Sequence, residues 1–259
     1  MGIDINAVNV SVNGDLNISG LRCEKKRKDI LGLLIYLFHN DKNINHFNIL
    51  PKIILLREKE QKCNNTQISA LNIAYDIRGG IGESSVKIEM NHVENIGKED
   101  ISAIYYYTGI DFGIPSVVMI KEKNGFCKLD CKMQEIKNSN DIKLYEYGLH
   151  SRLKRGNNIE NIQLEMAYND AFDLSQQEII NFYPLNYGKK IKRVSYRIRI
   201  FEKNDFVIDL RKIFKAKKGF DETVVERKSG DRRNDYVEYI FNISDVDMSN
   251  IYYFTLNKK

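Results

Sequence analysis

The chain has 259 residues, of which 42% are hydrophobic and 29% are charged, and its formal net charge is +5 at pH 7. This balance is typical of a globular protein and excludes an intrinsically disordered chain. The mild positive charge does not by itself indicate nucleic-acid binding. The chain contains fifteen Tyr and twelve Phe, which favour strands, so we expect a sheet-rich protein.

The sequence shows no membrane span and no secretion signal. The longest apolar run, residues 30–38, is too short to cross a bilayer, which takes about 20 residues. The first residues lack the basic and apolar regions of a signal peptide. We therefore expect a cytoplasmic protein without a stable membrane anchor, whose four cysteines are reduced.

The N-terminal region is predicted to form a hairpin followed by two helices. Residues 3–19 alternate apolar and polar side chains around an Asn-Gly-Asp turn. This Asn-, Val- and Gly-rich leader resembles the segments that open many bacterial conflict-system proteins. The resemblance implies one component of a larger, defence-related bacterial assembly. Residues 24–40 are apolar nearly all round, and residues 49–60 begin near a proline, so both segments predict helices.

A meander of strands is predicted for the central region. Residues 67–77 and 85–93 alternate on either side of a glycine-rich turn, and residues 101–108 form a further strand. Residues 142–152 and 159–168 flank a Gly-Asn turn and predict a second long hairpin.

The clearest turn signal in this region is Asn124-Gly125, which lies between two alternating runs. If these two residues form the loop, Met119 faces Asp130 on the mixed side of the hairpin. A short helix over residues 173–182 is predicted to follow the central strands.

Residues 184–190 form the best domain boundary, and an antiparallel sheet is predicted after them. A strand over 194–200 and a loop at 203–205 would place Arg199 opposite Asp209. The remaining predicted strands are residues 223–228, 236–243 and 250–256.

The predicted fold class is therefore α+β and mainly antiparallel β. It combines an N-terminal hairpin and two helices, a central meander and a C-terminal antiparallel sheet. Residues 1–185 and 186–259 would be two domains, or the chain would form a single domain. No alternating strand and helix pattern calls for a parallel sheet.

One fragment has the pattern of metal-dependent nuclease chemistry. Asp111, followed by Asp130 and Lys132 in an acid-x-Lys arrangement, could form a PD-(D/E)XK-like site that holds Mg²⁺ and activates water. The predicted register separates Asp111 from the position opposite Asp130 by about 26 Å of extended chain. Only a chain reversal at residues 113–115 would bring the two carboxylates together.

Basic residues of the last third are the best functional signal. They are interleaved with Tyr187 and Tyr196, as in proteins that bind nucleic acid. The residues expected to contact phosphate are Lys192, Arg193, Arg197 and Arg199. Nearby acidic residues leave a second interpretation open, a solvated sheet face of mixed charge. The four histidines show no metal-binding spacing, so no bound metal is expected outside the nuclease hypothesis.

The function favoured by the sequence is a binding module whose partner is another protein chain or nucleic acid. Two alternatives stay open. One is the Mg²⁺-dependent nuclease. The other is a pore-forming protein that inserts two amphipathic hairpins, residues 67–93 and 142–168, into a membrane.

Overall fold

A computed structural model of the chain describes residues 9–11, 15–17, 64–79, 83–109, 115–122, 125–134, 142–169, 172, 174–175, 178–182, 184–202, 204–217, 219–248 and 250–259. The backbone divides into two compact units, residues 1–62 with 215–221 and residues 63–214 with 222–259. Both sides of the predicted boundary at residues 184–190 belong to the second unit.

The first unit contains a short hairpin of strands β1 (Asn9–Ser11) and β2 (Asp15–Asn17). Val10 pairs with Leu16 in antiparallel register, which confirms the predicted hairpin. The helices predicted over residues 24–40 and 49–60 lie outside the described residues.

Sixteen further strands follow in chain order. They are β3 (Thr66–Ile77), β4 (Glu83–Asn95), β5 (Ile101–Gly109), β6 (Pro115–Glu122), β7 (Gly125–Lys128), β8 (Cys131–Gln134), β9 (Ile142–Leu153), β10 (Asn158–Asn169), β11 (Glu178–Phe182), β12 (Lys190–Ile191), β13 (Arg193–Ile200), β14 (Phe206–Ala216), β15 (Gly219–Ser229), β16 (Asp231–Arg232), β17 (Val237–Ser244) and β18 (Ile251–Lys258).

These strands form three sheets. The large sheet has the order β16-β17-β13-β3-β4-β10-β6-β7, and β12 also pairs with β3. A four-stranded sheet has the order β11-β18-β14-β15, and a three-stranded sheet has the order β5-β9-β8. Pairing is antiparallel except where β12 and β13 run parallel to β3. The described residues therefore confirm a mainly antiparallel β structure, and they contain no α-helix to support the α+β class.

The core lies between the large sheet and the four-stranded sheet. Tyr196 of β13 packs on Phe254 of β18 with ring centroids 4.6 Å apart, and Phe241 of β17 lies 5.1 Å from Phe254. The hydroxyl of Tyr239 on β17 donates a 2.9 Å hydrogen bond to the carbonyl of Phe206 on β14. Aromatic burial of this size dominates the stability of a sandwich core.

The first of the two long hairpins predicted for the central region, residues 67–93, is confirmed. Ile73 of β3 pairs with Ile88 of β4, and Leu71 pairs with Met90. All four side chains are buried, because both strands turn their apolar residues to one face.

The register predicted for the central hairpin is wrong. Met119 pairs with Lys128 rather than Asp130, and Glu122 pairs with Gly125, so the two residues between strands are 123 and 124. Gly125 has φ of +120°, which glycine adopts without strain, and it begins β7 instead of closing the turn. After β7 the chain leaves the large sheet, and β8 pairs with β9.

Two other predicted hairpins are also wrong, although their strands exist. β9 pairs with β5 and β8, whereas β10 pairs with β4 and β6, so the turn at Gly156 joins two different sheets. Likewise β13 pairs with β3 and β17, whereas β14 pairs with β18. Arg199 is therefore opposite Glu238, not Asp209. Each strand pairs within the sheet in which its apolar face is buried.

The short helix predicted over residues 173–182 is wrong as well. Residues 178–182 form β11, which pairs antiparallel with β18. Ile180 and Phe182 are buried in the core. Edge pairing and burial of this β-branched and aromatic run outweigh the local capping signals.

The chain changes sheets between β15 and β16, at Gly230. β15 is the edge of the four-stranded sheet, and β16 pairs with β17 in the large sheet. A Cβ atom at Gly230 would overlap Val237 and lie 2.6 Å from the ring of Tyr239. The Lys228 ammonium donates a hydrogen bond to the carbonyl of Ile240 on β17, across the corner. Strands that turn a corner between sheets often need such a glycine.

Charged side chains of β15 contact neighbouring residues on both of its faces. Glu222 forms an ion pair with Arg211 on β14, and the Arg227 guanidinium donates to the Asp209 carboxylate of the same strand. The Lys228 ammonium lies 3.0 Å from a carboxylate oxygen of Glu226. Val224 and Val225, in the middle of β15, are exposed.

The side chain of Asn64, just before β3, forms hydrogen bonds with two other segments. Its side-chain amide nitrogen donates to the carbonyls of Tyr105 at 2.8 Å and Tyr187 at 3.1 Å. Its side-chain oxygen accepts from the Tyr105 N–H at 2.8 Å. Asn64 is only 3% exposed. One buried amide thus holds three segments in place.

Candidate binding surface

Strand β13 buries one face and exposes the other. Arg193 and Arg197 are exposed, and Ser195 and Arg199 are partly exposed, while the residues between them are buried. Because successive strand residues alternate, these four side chains lie on the outer face of the large sheet. Arg193 and Arg197 are four residues apart, which is about 13 Å along a strand.

Three exposed lysines precede the arginines at the same end of the sheet. The backbone of this segment is fixed, because the Lys189 N–H donates to the Thr66 carbonyl at 2.9 Å and the Lys192 N–H donates to the Ile68 carbonyl at 3.0 Å. We call the following five residues the basic surface: Lys189, Lys190, Lys192, Arg193 and Arg197.

The charges of the basic surface are not neutralised within the described part of the chain, where none of its five cations forms an ion pair. Lys87, on the same face of the sheet, provides a contrast. Its ammonium lies 3.3 Å from a carboxylate oxygen of Glu89 and 3.7 Å from one of Glu165. The basic surface therefore presents five positive charges to solvent.

Arg199 has a different environment from Arg193 and Arg197. Its Nε lies 2.9 Å from the Glu238 carboxylate, and its guanidinium lies 5.0 Å from the centre of the Tyr236 ring. The hydrogen bond to Glu238 raises the pKa of the Arg199 guanidinium. Because its charge is already paired, we leave Arg199 out of the basic surface.

The tyrosines interleaved with the basic residues face the core. Tyr187 and Tyr196 are only 8% and 1% exposed. Burial raises the pKa of each hydroxyl well above its ordinary value. The neighbours of Ser195 and Arg197 on the flanking strands are Asn72, Ala74, Ile240 and Asn242. The expectation that these tyrosines line a phosphate-binding surface is therefore wrong.

The described structure does not bring the predicted nuclease residues together. Asp111 lies outside the described residues. Asp130 is exposed just after β7, and Lys132 lies on β8, which pairs with β9 rather than with β6. Among the residues that the structure describes, no three His, Cys, Asp or Glu side chains are grouped to hold a metal ion. The Mg²⁺-dependent nuclease stays a prediction.

A second polar cluster lies on the outer face of the four-stranded sheet. The Asp209 carboxylate accepts hydrogen bonds from Arg227 Nε at 2.6 Å and from a terminal Arg227 nitrogen at 2.8 Å. Arg211 lies 3.8 Å from the same carboxylate and forms an ion pair with Glu222. Because each charge in this cluster has a partner of opposite sign, we assign it a structural role.

The Asp209 cluster predicts an acid-sensitive contribution to stability. Hydrogen bonding by Arg227 lowers the pKa of the Asp209 carboxyl, against the opposing effect of burial. In the unfolded chain the pKa of Asp is about 3.9. The stabilisation is thus present above about pH 4 and is lost as the pH falls through the folded-state pKa. Asp209→Asn should flatten the pH dependence of the urea midpoint between about pH 6 and 2.

The control for this prediction is Asp205→Asn. The pKa of Asp205 is also lowered by its hydrogen bond with Arg232, but the Asp205 side chain is 58% exposed. Solvent screens such pairs, so this variant should change the profile less. Equal profiles for Asp209→Asn and the wild type would contradict the role given to Asp209.

Comparisons with known proteins do not assign the chain to a family. No protein-family model matches it, and no curated protein matches its sequence significantly. An M1 zinc metallopeptidase from Deinococcus radiodurans shares 9% identity at a TM-score of 0.43, over 73% of this chain and 42% of that one. The RrgB pilus protein from Streptococcus pneumoniae shares 10% identity at a TM-score of 0.28, over 73% of this chain and 36% of that one.

These similarities are too low to carry an argument about function, and the chain spans less than half the length of either matched structure. In the described part of the chain, no helix is long and apolar enough to cross a membrane.

Proposed function

We propose that the protein is a binding module that contacts nucleic acid through the basic surface. The observation that carries this proposal is the group of five exposed cations on β12, β13 and the residues next to them, none of which is ion-paired within the described residues. Phosphate groups supply the matching negative charge. Each Lys or Arg that neutralises a phosphate releases a bound counterion, so affinity should fall as salt concentration rises.

The test is a paired substitution in the basic surface. Replacing Arg193 and Arg197 together with Ala should weaken binding of the full chain to nucleic acid by about tenfold at low salt. The slope of log affinity against log salt should also become shallower by about 2, since two phosphate contacts are lost. Fluorescence anisotropy with a labelled 20-bp DNA duplex measures both quantities.

The matched control is Lys87→Ala on the same sheet face. This lysine already has Glu89 and Glu165 as partners, so the substitution should leave both affinity and slope unchanged. If the control and the paired arginine variant lose affinity equally, the basic surface is not the binding site.

A protein partner is the second candidate, and the exposed apolar side chains favour it. Phe126 on the edge strand β7 is 51% exposed, and Val224 and Val225 on the edge strand β15 are 41% and 46% exposed. Exposed apolar residues on sheet edges are common protein contacts. A component of a larger assembly would use such edges. Replacing both valines with Ser should then release a co-purifying chain, whereas Lys87→Ala should retain it.

A further inference from the structure

We infer, on the basis of the proposed function, that the basic surface binds the phosphate backbone of a nucleic-acid duplex without preference for base sequence. Three properties of the strands that carry the surface lead to this ligand class. They are the direction of the aromatic side chains, the fixed spacing of the two arginines, and the position of the arginines in the middle of a sheet.

The aromatic side chains of these strands point into the core. Tyr196 of β13, and Tyr239 and Phe241 of β17, are at most 1% exposed. Proteins that bind single strands stack the bases on exposed aromatic rings, which supply much of their affinity. On β13 and β17 the outward positions carry arginine, serine, asparagine, isoleucine and the Glu238 that pairs with Arg199 instead. Phosphate contact is the interaction that this surface offers.

The spacing of Arg193 and Arg197 is fixed by the sheet. β13 is an interior strand, with β3 hydrogen-bonded on one side and β17 on the other. The Cα atoms of the two arginines are held about 13 Å apart. This distance is close to the width of the B-DNA major groove, which is about 12 Å. They can therefore contact phosphates on both strands that border one groove. In a duplex the phosphates have this spacing before the protein binds, whereas a flexible single strand must be ordered to match it.

The position of the arginines prevents them from reading bases. Direct readout in the major groove needs a narrow element, a helix or a two-stranded ribbon, that enters it. Arg197 projects from a strand that is flanked by further strands on both sides, so the surface is a broad sheet face. Such a face rests on the phosphate ridges, and the base edges stay out of reach. Binding is then independent of sequence.

The test compares three labelled DNA probes with the full chain: two 20-bp duplexes of unrelated sequence and one of the corresponding single strands. The duplexes should bind equally within about twofold, and the single strand should bind at least about tenfold more weakly. The salt slope on the duplexes should reach about −4.5 if the five cations neutralise five phosphates. Tighter binding to the single strand, or more than about tenfold preference for one duplex, would overturn this inference. Absence of binding to all three probes would overturn the proposed function itself.

Conservative variants separate backbone contact from base reading. Arg197→Ala should reduce the salt slope by about 1 on both duplexes alike. Arg197→Lys keeps the charge, so it should retain the wild-type slope and affinity within about threefold. A bidentate contact to a guanine would be lost in this variant, because lysine is a point charge. Loss of affinity for one duplex only, in either variant, would contradict sequence-independent binding.

Discussion

Replacing Asn64 with Ala should lower the free energy of unfolding by about 3 kcal/mol, among the largest effects expected of a single substitution in this chain. The variant loses the three hydrogen bonds that Asn64 makes with the backbone of Tyr105 and Tyr187. Each such bond contributes about 1 kcal/mol, and the backbone groups left without a partner are costly where they are buried. Urea denaturation followed by circular dichroism measures the change.

Two further variants make the test of Asn64 specific. Asn64→Asp keeps an acceptor for the Tyr105 N–H but loses both donated bonds, so it should also destabilise the fold. Asn204→Ala removes an exposed amide that donates a 3.3 Å hydrogen bond to Glu202, and it should change stability by less than about 0.5 kcal/mol. Similar midpoints for Asn64→Ala and Asn204→Ala would show that the buried amide does not hold the segments together.

Gly230→Ala is the second substitution with a large expected effect. The added methyl would overlap Val237 and the ring of Tyr239, which are 2% and 1% exposed and have no room to move. Overpacking of this kind costs about 1–3 kcal/mol, and a larger side chain such as Val should cost more. The loss should appear as a lower thermal midpoint with an unchanged strand content.

Gly148→Ala is the control, and Gly148 lies within strand β9. A Cβ atom there meets nothing within 4 Å, so the variant should be neutral or slightly stabilising. If Gly230→Ala is as stable as Gly148→Ala, then the corner between the two sheets is not closely packed.

The strands were largely predictable, but their pairing was not. Alternation within a strand is a local property, so β3, β4, β13, β17 and β18 follow from the sequence within a few residues. The choice of sheet depends on which apolar face fits which core, and local turns do not encode it. The turn residue Gly156 has the expected positive φ of +73°, yet it connects two sheets instead of closing a hairpin.

In the candidate site, too, local alternation was predictable and strand pairing was not. Alternation alone places Arg193 and Arg197 on one face, and the structure gives them that placement. The partner of Arg199 could not be predicted, because Glu238 is 39 residues away and belongs to a strand whose pairing was unknown. The orientation of Tyr196 could have been predicted, since it lies between Ser195 and Arg197 and must point to the opposite face.

The charged residues of β15 also affect how this edge strand meets other molecules. An edge strand exposes unpaired backbone groups on which a strand of another molecule can add, which is the usual start of aggregation. Here five of the eleven residues of β15 are charged, namely Asp221, Glu222, Glu226, Arg227 and Lys228. Charged side chains on an edge strand discourage such addition. The strand that leads the chain from one sheet to the other therefore also opposes the addition of further strands to its own sheet.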